Sequence, residues 1–166
     1  MDSTVSVGFY CRSNNRKNDR IIFDHAPMHI WQAAEKQAMR SSLVRFKTGA
    51  VIFRGSEIVS KGCSYVGAAS APRKAIHAEQ HALRGISGHE DNLSCLIVTL
   101  NRSNNWAGSS KPCAFCVHLM HKAGIDNVIY AERDNSSEWS INKESIDSLI
   151  NRSMNINARY AKEMRI

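Results

Sequence analysis

The chain has 166 residues, 43% hydrophobic and 22% charged, which is enough for one domain with a sizeable core and ordinary for a globular protein. No run approaches the roughly 18 consecutive apolar residues of a membrane span, and this excludes a spanning helix. The net charge of +7 is unevenly placed: residues 1–86 hold 13 Lys/Arg against 6 Asp/Glu, while residues 87–166 hold 9 of each.

Such asymmetry points to an anionic partner, a nucleotide phosphate or a nucleic acid; the plainer alternative is a solvated basic surface. Five cysteines, an odd and scattered set, argue against a disulfide framework. The start Met1-Asp2-Ser3-Thr4 lacks the basic-then-apolar pattern of a signal peptide. A reducing, cytoplasmic setting is the expectation.

Residues 1–24 form a basic polar arm with Arg12, Arg16, Lys17 and Arg20 among asparagines, and residues 25–166 the folded domain. Asp24 suits a helix cap and Pro27 a first turn, so a helix is predicted to about Leu43. Met28, Ile30, Trp31, Ala34 and Ala38 recur at helical spacing, which buries one face. Residues 48–54 and 57–62 read as a hairpin around Gly55-Ser56. A loop rich in Gly, Ala and Ser follows over residues 63–76, then a helix from His77 to about Gly85. The apolar run Leu93–Leu100 reads as a buried strand, residues 101–111 as a polar loop, and Pro112 as the opening of the next helix. Residues 126–131 form a further strand. Residues 142–150 look helical, and residues 151–166 fit an edge strand, a helix or both in turn. A helical crossover between the last two strands makes them parallel. The predicted fold is therefore α/β, a mixed central sheet with helices on both faces.

The chemistry concentrates in two stretches, His77-Ala78-Glu79 and Pro112-Cys113-Ala114-Phe115-Cys116. They supply one imidazole, two thiols and a carboxylate. Zinc takes nitrogen and sulfur ligands, and three protein ligands leave the fourth tetrahedral position for water, whose pKa the metal lowers towards neutrality. Glu79 lies two residues from His77, and positions i and i+2 do not share a helix face. It therefore suits a proton shuttle better than a fourth ligand. Spacing of three puts Cys113 and Cys116 on one side of a first helical turn, where the dipole favours thiolate. A closed Cys2His2 site can also be drawn with His81, His118 or His121, but it would leave Glu79 and Pro112 without a role.

H-x-E followed by P-C-x-x-C resembles the signature of zinc nucleobase deaminases, and residues 48–131 look like the cytidine and deoxycytidylate deaminase superfamily. The resemblance implies a three-layer α/β/α fold, a zinc cofactor on His77, Cys113 and Cys116, and Glu79 as the catalytic proton carrier. It implies that the Ala78 N–H holds the base carbonyl and that the Lys111 carbonyl accepts from the leaving amine. Many relatives place an Asn where Ser64 stands, to contact a sugar hydroxyl, so Ser64 is a substrate-binding candidate that departs from the pattern. Arg73 and Lys74 precede His77 closely enough to meet a nucleotide phosphate; their plainer reading is loop solubility. Trp106 has two readings, stacking on a base or closing its loop over the core.

The leading expectation is a deaminase of a free cytosine nucleoside or nucleotide, with a homo-oligomer implied by the resemblance and no membrane partner. The alternatives are deamination of cytosine or adenine within a nucleic acid, motivated by the N-terminal charge and the Trp106 loop, and a zinc module that binds nucleic acid without turnover.

Overall fold

The structure is a computed structural model that describes residues 24–67, 75–88, 90–133, 135 and 138–163, with residues 155–163 as backbone alone. The basic arm (residues 1–23), Arg73 and Lys74 lie outside the described residues.

The first helix forms as α1 (Met28–Met39), preceded by Pro27 without a side-chain cap. Asp24 therefore does not serve as its cap. The helix stops four residues short of Leu43 because the Arg40 and Ser41 N–H groups turn back onto the Gln37 and Ala38 carbonyls, 3.0 Å each. Such i→i−3 bonds tighten and end a helix, and residues 43–46 are left outside it. The predicted hairpin is present as β1 (Lys47–Arg54) and β2 (Glu57–Cys63), antiparallel. Its turn begins at Gly55 with φ of 59°, a left-handed conformation that glycine adopts without a Cβ penalty. The stretch read as loop carries a two-residue antiparallel ladder, β3 (Tyr65–Val66) with β4 (Ala75–Ile76).

Then come α2 (Ala78–Leu83), β5 (Leu93–Leu100), α3 (Ala114–Lys122) and β6 (Ile125–Arg133). Where residues 142–150 read as helix, the chain instead makes a strand, β7 (Trp139–Ser145), and only then α4 (Ile146–Glu163). Trp139 and Ile141 alternate onto the core, but the polar residues around them hide the two-residue period. The edge strand is thus 139–145, and the C-terminal stretch continues as helix.

The five main strands run in the order β2-β1-β5-β6-β7. β5 and β6 are parallel across the α3 crossover, as predicted, and the other pairs are antiparallel. The sheet is mixed and the domain has three layers. One face packs α1 through Ile30, Trp31, Ala34 and Ala38 against Val51, Leu96, Val98 and Ile129. The opposite face packs α2, α3 and α4 through Ala82, Val117, Met120 and Leu149 against Ile52, Cys95, Ile97 and Val128.

Two glycines set the closeness of the layers. A Cβ on Gly49 would run into the Ala34 carbonyl and the Ala38 nitrogen of α1, and one on Gly62 into the Ala78 carbonyl and the Ala82 nitrogen of α2. On the α1 face, Trp106 is 8% exposed. It stacks on Trp31 at 5.5 Å and meets Trp139 edge-on at 5.5 Å. Its indole N–H donates to Glu35 at 2.8 Å. Of its two sequence readings, closing the loop over the core is the one observed, and its ring is not presented for stacking on a base.

Two outcomes are expected. Gly62→Ala should destabilise by roughly 1–3 kcal/mol, the usual effect of overpacking, because α2 must shift; a urea midpoint equal to wild type would contradict this. Glu35 is 4% exposed, and burial raises its carboxyl pKa above the usual 4.5 against a smaller downward pull from the Trp106 N–H. A raised folded pKa contributes stability below the unfolded value that is lost as pH rises through the folded one. Glu35→Gln keeps an acceptor for Trp106 without the charge. It should melt above wild type at pH 7, with the gap closing as pH falls towards 4.5. Paired thermal melts across that range check it, and equal melting at pH 7 counts against it.

Candidate active site

The two motif stretches meet because two helices begin side by side. His77 occupies the N-cap of α2 in extended backbone, and its N–H donates to Gln80 Oε1 at 2.9 Å. Cys113, rather than Pro112, is the residue at the start of α3, and its Sγ accepts from the Cys116 N–H at 3.5 Å. The thiol is thus a cap, satisfying one of the donors that every helix start leaves open.

His77 Nδ1 stands 3.6 Å from Cys113 Sγ and 3.3 Å from Cys116 Sγ. All three donor atoms lie within 4.8 Å of one another. A zinc ion with Zn–S near 2.3 Å and Zn–N near 2.0 Å in tetrahedral geometry separates such ligands by about 3.5 Å, so the residues present fit that ion. Among the described residues no fourth side chain joins the group. His81 is engaged elsewhere, its Nδ1 3.1 Å from both the Cys63 N–H and carbonyl. His121 faces Asp147 at 3.7 Å. The closed Cys2His2 alternative has no support in this arrangement.

The hydrogen bond between the thiols poises one of them, Cys113, for coordination. The hydrogen bond from the Cys116 side chain is the largest influence on Cys113 and, with the Cys116 backbone N–H and His77, draws its pKa down to about 5. The same bond, with burial, pushes Cys116 up. A coordinating zinc requires both as thiolates.

Glu79 lies on α2, 5% exposed. Burial raises its carboxyl pKa, against smaller downward pulls from a backbone hydrogen bond and His77. Behind it sits Cys95 of β5, fully buried, whose thiol is pushed well up by burial and then by the Glu79 charge.

These groups open onto a cavity of about 410 Å³, within the range of small-molecule sites. Ala78, Glu79, His77, Cys113 and Lys111 line it, with Ser64, Thr48, Thr99, Ser109 and Ser110. The structure therefore brings together every described site candidate except Trp106. Ser64 is placed in the wall, but its hydroxyl is already engaged, accepting from the Thr48 N–H at 3.0 Å and lying 2.8 Å from Ser41 Oγ. Leu43, Phe46 and Ile97 add apolar wall. Thr48, Thr99, Ser109 and Ser110 were not foreseen. For Thr48 and Thr99 the only signal was register: they are direct cross-strand partners between β1 and β5, a pairing that no local motif announces. Among the described residues no helix is long and apolar enough to cross a membrane.

Comparison with known proteins places this geometry. The family described as "Cytidine and deoxycytidylate deaminase zinc-binding region" matches residues 23–132. No curated protein sequence matches the chain. Among solved structures, the chain is similar to cytidine deaminase from Burkholderia pseudomallei, with a TM-score of 0.55 and 19% identity over 74% of this chain and 95% of that one. Two further similar structures are dCMP deaminase from the cyanophage S-TIM5, with a TM-score of 0.47 and 22% identity over 60% of this chain and 77% of that one, and cytidine deaminase from Mycobacterium leprae, with a TM-score of 0.47 and 15% identity over 74% and 94%. At these identities the first of the three shows a shared fold, which is the three-layer arrangement described above. With its motif residues gathered at one cavity and two thirds of its length matched, the chain belongs to the family of the cytidine and deoxycytidylate deaminase zinc-binding region.

Proposed function

We propose that the protein is a zinc-dependent hydrolytic deaminase of a free cytosine nucleoside or nucleotide, yielding the uracil product and ammonia. The observation that carries this reading is a buried carboxylate, Glu79, in one cavity with the His77, Cys113 and Cys116 cluster. His77, Cys113 and Cys116 would hold the zinc, which when bound supplies the Lewis acidity that brings the pKa of a water near neutrality.

The chain's own part is positioning and proton transfer. Glu79 takes a proton from the attacking water as its oxygen bonds to the ring carbon bearing the amine. The carboxylic acid then gives that proton to the ring nitrogen. A second proton leaves the new hydroxyl through Glu79 for the departing nitrogen, so that the C–N bond breaks to ammonia and a carbonyl remains. Burial, which raises the carboxyl, suits a group that must both take and give protons. The Ala78 N–H stands in the first turn of α2, where no intrahelical acceptor exists for it, and is assigned to the base carbonyl. The Lys111 carbonyl, just before Pro112 on the cavity wall, is assigned to the amine. Arg73 and Lys74 keep their proposed role towards a nucleotide phosphate.

A cavity of about 410 Å³ suits a free nucleoside or nucleotide, and the buried Trp106 ring supports the reading over one in which that ring stacks on a base of a polymer.

Ammonia release from a panel of dCMP, CMP, deoxycytidine, cytidine and cytosine, beside single-stranded DNA and tRNA, tests the reading. Turnover of one of the free substrates is expected. Activity confined to the polymers, with binding that falls steeply as salt rises, would overturn it. Glu79→Ala should keep its zinc by elemental analysis while losing roughly 100-fold or more in kcat; loss of zinc would show a ligand role instead. Cys113→Ala should lose zinc and melt lower, and a variant that holds one zinc per chain would remove Cys113 from the site.

A further inference from the structure

Five hydroxyl side chains line the cavity, at Thr48, Ser64, Thr99, Ser109 and Ser110, and they are not equivalent. A hydroxyl has one hydrogen to give and two lone pairs to receive. Ser64 accepts from the Thr48 N–H, and its hydrogen is taken up by Ser41 Oγ, whose own goes to the Ser64 carbonyl at 2.6 Å. Ser109 donates to Glu132 at 3.3 Å and accepts from the Lys111 N–H at 3.2 Å.

Thr48 Oγ1 and Thr99 Oγ1 lie 3.1 Å apart. Among the described residues neither hydroxyl has another partner. One of their two hydrogens closes the pair, which leaves one hydrogen and several lone pairs facing the cavity. Thr99 is 8% exposed, and burying an unmatched hydroxyl is costly. Ser110 reinforces the patch, its hydroxyl accepting from the Thr99 N–H at 3.1 Å.

Position says which part of a ligand meets this patch. Along β5, alternate residues face the cavity side, in the order Cys95, Ile97, Thr99. Cys95 packs in the same core cluster as Ala78, the neighbour of Glu79 on α2, and Thr99 is four residues further, about 13 Å at strand rise. The pair therefore serves the end of the substrate remote from the reacting carbon. Two neutral hydroxyls match a neutral hydroxyl better than a phosphate, for which the cavity offers Lys111. Ser64, the residue expected to touch the sugar, has its hydrogen engaged.

We infer that the Thr48–Thr99 hydroxyl pair is the sugar-recognition element of this site, binding a ribose or deoxyribose hydroxyl and so determining specificity for nucleoside over free base. The inference rests on the reading of the site as one for cytosine nucleosides or nucleotides.

The test uses the zinc-loaded full chain and the variants Thr99→Val, Thr48→Val and Thr99→Ser. Valine keeps the shape and removes the hydroxyl; serine restores it. With deoxycytidine or cytidine, whichever wild type turns over, each valine variant should raise KM about three- to tenfold with kcat within about twofold. Losing one neutral hydrogen bond predicts that range. Inhibition constants of deoxyuridine and of 1-methyluracil, which lacks the sugar, should lose their ratio by the same factor. Thr99→Ser should recover KM, and zinc content should stay at the wild-type value in every variant. Equal weakening of both inhibitors, a fall in kcat at constant KM, or no change in any constant would overturn the assignment. Wild type that deaminates and binds no cytosine or uracil nucleoside or nucleotide would instead bring down the proposed function, and this inference with it; wild-type turnover with indifferent variants sinks the inference alone.

Discussion

Two helix starts lying side by side are the constraint on which the rest depends. His77 and Cys113 are not carried on helix faces but stand at the caps of α2 and α3, in extended backbone. That placement aims an imidazole nitrogen and a sulfur into the gap between the helices, and Cys116 returns one turn later to close the trio. Helix starts are positive ends, so the same geometry that gathers the sulfurs also favours the thiolate of the capping Cys113. If either helix were moved along the sheet by one residue, the donors would no longer share a tetrahedron. Gly62 permits the close seating of α2, since any side chain there would meet its backbone.

The carboxylate is the second demanding element. Glu79 is enclosed by the cluster on one side and by the buried Cys95 thiol on the other. An ionised carboxyl in such surroundings is poorly solvated, which holds the acid form within reach. Among the described residues, Lys111 is the other ionisable side chain of the cavity wall outside the cluster. The described wall is otherwise made of backbone groups and hydroxyls, and their hydrogen bonds separate those that hold the wall together from those left for a ligand.

The wall itself is anchored on the far side of the sheet. Residues 101–111 leave the end of β5, cross to the α1 face and return. Trp106 is clamped there between Trp31 and Trp139 and bonded to Glu35. The Ala107 N–H bonds to the Thr99 carbonyl at 3.0 Å, and the Ser110 N–H to the Ala131 carbonyl at 2.8 Å. A loop that looks merely polar thus brings Ser109, Ser110 and Lys111 to the cavity from a base in the second core.

The amino-acid sequence by itself determined the chemistry. His77, Glu79, Cys113 and Cys116 are recognisable because ligand type and short-range spacing are local properties, and the layered fold was legible because β5 is a continuous apolar run and the β1–β2 turn carries its glycine. Only the tertiary structure decided the roles of residues whose partners are distant in the chain. Trp106 became core because Glu35, 71 residues away, accepts its indole N–H. Ser64 became part of the wall because Ser41 and the Thr48 N–H take its hydroxyl. β7 formed because β6 offers it an edge and the α1-side core receives Trp139 and Ile141, although its residues 142–145 read as helix. Thr48 and Thr99, 51 positions apart, are a pair only through the register of two strands. Local pattern encodes what a residue can do chemically; which of its bonds are already taken is fixed by contacts that form when the sheet assembles.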